Sequence, residues 1–204
     1  MQFVDSHAAL ATDRILLTRI HGSEISRLKP LGDAGLRQLD RGGSAQAAAA
    51  RMAATLSGAN VTAAFAIEDA GSGDIIGLTA VAALEPDEKR ATLAPIWSSG
   101  RLDQVLLMSH VAHLMTRYAF EALAVERAEV HLDWRLRRTL ELYTGLGFRC
   151  EGRLRAYFAC DEGPSADAAV LSVVRSGWPA IVDRQRRLLA DEAWRYRLPS
   201  DRPP

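Results

Sequence analysis

Cysteine is scarce: Cys150 and Cys160 are the only two thiols of the chain. That excludes a small scaffold stapled by several disulfides. The two lie ten residues apart in what reads as one extended strand, too far along it to bond unless the chain doubles back. Both are expected to be reduced and structural. An excess of charge is missing too, since Lys+Arg and Asp+Glu are both 25. No global basic field draws nucleic acid or an anionic membrane surface. No apolar run reaches the roughly 18 residues of a spanning helix. The opening MQFVDSHAAL has no charged stretch followed by an apolar one. These absences predict a soluble, cytoplasmic protein with neither nucleic acid nor a membrane as partner.

Apolar material for a core is plentiful, at 48% of 204 residues. One domain over residues 14–198, after a loosely held lead-in at 1–13, is the expected organisation. Its centre is the stretch 125–148, where the hydrophobic period changes. Ala128, Val130 and Leu132 alternate with Glu129, His131 and Asp133, the period of a strand with one buried face. From Trp134 the apolar residues Leu136, Leu140 and Tyr143 fall on one helical stripe that ends at Gly147. Gly147 occupies the place of a left-handed residue closing that helix before Phe148 opens a new strand.

Around this strand–helix–strand unit the chain divides in order. A strand at 14–20 leads to short helical turns at 23–28 and 33–40, interrupted by Pro30, Gly32 and Gly35. An Ala-rich helix at 45–56 has Ser44 as its cap and Gly58 as its stop. Strands at 61–68 and 74–84 flank the turn Asp69-Ala70-Gly71-Ser72-Gly73, and a third follows at 90–97. A long helix at 103–124 buries a face of Leu107, Val111, Leu114, Met115 and Tyr118. Strands at 149–160 and 167–175 and an arginine-rich helix at 179–197 complete the series. The pattern predicts an α+β fold, a mostly antiparallel sheet of about six to seven strands with helices on its faces.

The order of elements, the run Leu142-Tyr143-Thr144-Gly145-Leu146-Gly147-Phe148 and the following Glu151-Gly152-Arg153-Leu154-Arg155 resemble the GNAT superfamily of acetyl-CoA-dependent N-acetyltransferases, nearest its ribosomal-protein-acetylating branch. Ser172 through Pro179 resembles that branch's last strand and its exit into a C-terminal helix. The resemblance spans about residues 14–189 and is strongest after Trp97. It implies the GNAT acyltransferase fold, acetyl-CoA as co-substrate, and an amine acceptor, either a small molecule or a peptide. It also implies a cofactor wedge where the strand ending near Trp97 parts from the strand 127–133. The main chain at Ile96 and Trp97 would pair with the pantetheine arm. Arg101 and the N–H groups of Gln104, Val105, Leu106 and Leu107 would hold the pyrophosphate, as a helix N-terminus suits an anion. Tyr143 matches the family's acid for the leaving thiolate; its place on the apolar stripe equally suits a core aromatic with a bonded hydroxyl.

Several positions depart from the family pattern. Its phosphate loop carries small residues where Gln104 and Leu106 stand, and only Arg101 fits. Asp103 puts a carboxylate at the anion site, where it reads best as an N-cap. Leu136 stands where the family has a hydrogen-bonding asparagine beside the cofactor, and Thr92 aligns with a glutamate base. His131, sharing a strand face with Glu129 and Asp133, is the candidate replacement base; alternation alone also explains that face as polar surface. His110 and His113 stand at i, i+3 without a completing ligand set, so no metal site is expected. The arginines of the last helix read as a solvated face. Two functions follow: an N-acetyltransferase for a primary amine, or a degenerate relative that keeps the fold as a ligand-binding or dimerisation module. A homodimer through the C-terminal strands would suit the fold.

Overall fold

In this computed structural model the described residues are 10–20, 28, 31, 37–39, 50–54, 63–93, 96–160 and 163–191. Alternating β-rich segments build one mixed sheet. Its strands are β1 (Leu10–Ala11), β2 (Ile15–Ile20), β3 (Arg37–Gln38), β4 (Ala63–Asp69), β5 (Ile75–Glu85), β6 (Arg90–Leu93), β7 (Trp97–Ser98), β8 (Arg127–Asp133), β9 (Arg149–Phe158) and β10 (Ala166–Val174). Seven of these have four or more residues, as the sequence pattern predicts; three two-residue strands are additional. The main order is β1-β2-β4-β5-β6-β8-β10-β9, with β7 bridging β3 and β5. Among the described residues every neighbouring pair is antiparallel except β6 with β8.

Among the described helices, α1 (Gln104–Arg117) packs against both α2 (Arg137–Gly145) and α3 (Trp178–Ala190). The core beneath them joins Val105, Leu107, Val111 and Leu114 of α1 to Phe65, Ile67, Val130, Leu132, Tyr143 and Phe148. Burial of this apolar surface is the main stabilising term. A smaller cluster, Ile20, Leu28, Leu31, Ala66, Leu78 and Trp97, is a second centre of packing.

Several expectations are corrected. The strand expected at 90–97 is broken: pairing with β5 at Arg90–Leu93 gives way to separate pairing of Trp97–Ser98. Gly77 makes that second approach feasible, because a Cβ there would collide with the Trp97 carbonyl. Within 33–40, Arg37–Gln38 is a strand rather than a helical turn, since it pairs with β7. The long helix at 103–124 is α-helical only to Arg117; a π-helical turn follows over Tyr118–Ala122. The Arg175 guanidinium donates to the Phe120 carbonyl in that turn and to the Val125 carbonyl just after it, each at 2.8 Å. Burial of α1 is also not confined to one face, for residues 105–116 are all buried. Ser44, Gly58, the turn at 23–27 and residues 192–197 lie outside the described residues.

Candidate active site

The parallel ladder between β6 and β8 has three rungs, Arg90↔Arg127, Ala91↔Ala128 and Thr92↔Glu129. Beyond Thr92, β8 continues to Asp133 and, among the described residues, is paired only on its β10 side. The chain after β6 turns instead to β3 and β5. Among the described residues the main-chain groups of β8 past Glu129 pair with no strand on the β6 side, and His131 is the first side chain past the last rung on its face.

That face carries a connected polar cluster. Glu129, 5% exposed, receives Arg127 Nε at 2.9 Å, Arg90 Nη1 at 3.4 Å and the Thr92 hydroxyl at 3.4 Å. Arg127 also grips Glu151 at 2.6 and 3.0 Å, and the Ser172 hydroxyl donates to Glu151 at 2.7 Å. Arg127 is the main reason Glu151 is lowered to about 2, Ser172 adding to it, while Glu151 in turn raises Arg127. His131 lies between two partners: Nε2 is 3.5 Å from Glu129 Oε1, and Nδ1 is 2.8 Å from the Tyr157 hydroxyl. Burial lowers the pKa of His131, Glu129 opposing this in part and Arg127 and Arg90 adding to it. A neutral imidazole near pH 7 follows, able to accept a proton. Sequence reading singled out Glu129 and His131 but missed Arg90 and Tyr157, because strand register and a contact 26 residues away place them. Asp133, on the same strand face, instead builds the turn into α2, accepting from the Arg135 N–H and side chain at 2.6–3.2 Å.

The other expected site residues are placed as follows. Tyr143 is 4% exposed, its ring edge-on to Phe148 at 5.0 Å. It lies in the core with Ala128, Val130 and Leu132, on the sheet side opposite the His131 cluster. Leu136 is the N-cap position of α2 and makes no side-chain cap bond. Ile96 and Trp97 are buried; the Ile96 carbonyl accepts from Leu39 N–H at 2.8 Å, and the Trp97 indole N–H has no hydrogen-bond partner among the described residues. Asp103 caps α1, its Oδ1 accepting from Leu106 N–H at 3.0 Å and its carbonyl from Leu107 N–H at 2.9 Å. Of the four N–H groups expected at the pyrophosphate, those of Gln104 and Val105 remain outside this cap. Arg101 pairs with Asp74 at 2.9 Å with both side chains more than half exposed.

The two helix histidines serve separately. His110 Nδ1 meets the Thr12 hydroxyl and His113 Nδ1 meets Gln185 Oε1, each at 2.8 Å. Gln185 passes the link on to the Leu146 carbonyl at 3.0 Å, tying α1, α3 and the end of α2. Among the described residues no group of three or more His, Cys, Asp or Glu could hold a metal, no helix is long and apolar enough to cross a membrane, and both cysteines are free.

No protein-family model matches the sequence, nor does any curated protein sequence. Solved structures do match in fold. A GCN5-related N-acetyltransferase from Brucella melitensis has TM-score 0.71 and 18% identity over 92% of this chain and 87% of its own. The spermidine/spermine N-acetyltransferase of Vibrio cholerae gives 0.62 and 16%, over 83% of this chain and 98% of its own. A Vibrio cholerae protein assigned as a ribosomal-protein-serine acetyltransferase gives 0.60 and 19%, over 82% and 98%. At such identities the likeness is one of fold.

Proposed function

We propose that this chain, whose fold is that of the GNAT acetyltransferases, is an N-acetyltransferase moving an acetyl group from acetyl-CoA to a primary amine on a small molecule or peptide. The observation that carries this reading is the parallel ladder that stops at Thr92 and Glu129 with His131 just past it. The residues fit a bound coenzyme A in a reduced form. The N–H groups of Gln104 and Val105 would hold the diphosphate. Arg101 would join them on leaving Asp74, an exposed pair worth little to either partner. When bound, the co-substrate supplies an activated acetyl thioester. His131, neutral and held by Glu129, takes the proton the amine must lose; Tyr143, on the other face of the sheet, gives a proton to the departing thiolate only if the thioester sulfur lies in the gap between β6 and β8, open to both faces.

A second reading has its own observation. Asp103 occupies the α1 N-terminus and Arg101 is turned to Asp74, so the fold would serve as a binding or dimerisation module without turnover. Self-association would use β9, which ends the sheet and is exposed along nearly its whole length. Acetyl-CoA separates the two. Under the first reading it raises the thermal midpoint by an amount set by concentration over Kd, and a primary amine then releases free thiol. Under the second, neither occurs.

A further inference from the structure

Resting on the transferase reading above, we propose that Tyr157 is the catalytic residue that meets the acceptor amine, and that Glu129, His131 and Tyr157 form one proton relay ending at its phenolic oxygen. Tyr157 reaches this place through a local break in β9. Ala156 has φ 51, a left-handed conformation unfavourable for a residue with a Cβ, and its N–H is held by Asp167 Oδ1 at 2.7 Å. The following Tyr157 ring stands edge-on to the His131 imidazole, centroids 5.0 Å apart at 83°. Its hydroxyl meets Nδ1 at 2.8 Å.

The partners fix which nitrogen carries the hydrogen. Glu129, gripped by Arg127 and Arg90, is a carboxylate that only accepts. The Nε2 facing it at 3.5 Å therefore bears the ring hydrogen. Nδ1 is left with a lone pair, so the Tyr157 hydroxyl must be the donor in the 2.8 Å bond. The logic matches a serine–histidine–aspartate triad, with a phenol in place of the serine hydroxyl. The relay also has a direction: Glu129 is 5% exposed and Tyr157 is 47% exposed. Room for an acceptor adjoins it. Val170 pairs with His131 on one side and with Gly152 on the other, and nothing lies within 4 Å of where a Cβ on Gly152 would be.

In the step, the amine proton passes to Tyr157 Oη as the Tyr157 proton passes to His131 Nδ1. The nitrogen lone pair forms the N–C bond to the acetyl carbon, the C–S bond of the thioester breaks, and the thiolate takes the proton of Tyr143. Exchange with water resets the imidazolium and the phenolate. The charged groups acting on the imidazole are Arg90 from β6 and Arg127 and Glu129 on β8, with Glu151 of β9 paired to Arg127 and the titratable Tyr157 hydroxyl on Nδ1.

Tyr157→Phe in the full chain is the test, with acetyl-CoA as donor and spermidine or a short peptide with a free α-amine as acceptor. Loss of a general base predicts a kcat lower by about 10²–10³-fold, an unchanged thermal shift with acetyl-CoA, and loss of the acidic limb set by His131. The ¹⁵N signals of the imidazole read the relay without any co-substrate: Nδ1 should move when the phenol is removed. Wild-type kcat with the same acidic limb, or unmoved His131 signals, would overturn the relay. Failure of the wild-type protein to bind acetyl-CoA would overturn the transferase reading itself, and the catalytic role of Tyr157 falls with it even where the hydrogen bond is seen.

Discussion

His110 and His113 carry a measurable consequence for stability. Burial lowers the pKa of His110 to about 4 and that of His113 below its ordinary 6.5. A histidine that binds protons more weakly when folded stabilises the fold fully above its unfolded value near 6.5. That contribution is lost as pH falls from 6.5 towards the folded value. For His110 the difference corresponds to about 3 kcal/mol. Urea unfolding at pH 7.5 and 4.5 should show this loss, and His110→Gln should flatten the dependence. Tyr143 offers a second prediction: Tyr143→Phe lowers kcat while leaving the acetyl-CoA thermal shift nearly intact, as expected for a proton donor rather than a binding group. A hydroxyl bonded only for packing would leave kcat unchanged. At this scale the sequence showed Glu129 and His131 on one face, because alternation within a strand is local. It did not show that Arg90 and Arg127 would neutralise that face, or that Tyr157 would close over it, since those contacts depend on register between distant strands.

The start of α1 and the end of α2 are where local signals proved most readable. Asp103 was recognisable as a cap, and its bond to Leu106 N–H follows from that chemistry. Replacing it by alanine should destabilise the protein by about 1 kcal/mol through the lost cap. The same change removes a carboxylate from the diphosphate position, so the acetyl-CoA thermal shift should grow; an unchanged shift would place the phosphates elsewhere. Gly147 takes φ 96 as its place after the helix required, and a Cβ there would sit 3.1 Å from two Ile181 carbons. Gly147→Ala should therefore cost about 1–3 kcal/mol, read as a lower denaturant midpoint. The π-helical turn at Tyr118–Ala122 was invisible by contrast. Arg175, more than fifty residues away, bonds the Phe120 carbonyl of that turn, a contact no local signal announces.

For the molecule as a whole, the element order was legible because most segments from Ile75 to Val174 carry their own period, the strand expected at 90–97 being the exception that proved to be two. The parting of β6 from β8 was expected only by resemblance, and it is seen as a ladder of three rungs. What the sequence could not show is how the chain between β6 and α1 is taken up, for β7 joins β3 and β5 and leaves the Ile96 carbonyl bonded to Leu39. The end of the β6–β8 ladder and the shortened set of donors at α1 thus bear on the same question, whether coenzyme A binds here. The decisive measurement is the thermal midpoint of the wild-type protein across micromolar to millimolar acetyl-CoA. A transferase predicts a midpoint that climbs with the logarithm of concentration once Kd is passed; a flat midpoint up to millimolar acetyl-CoA would contradict it.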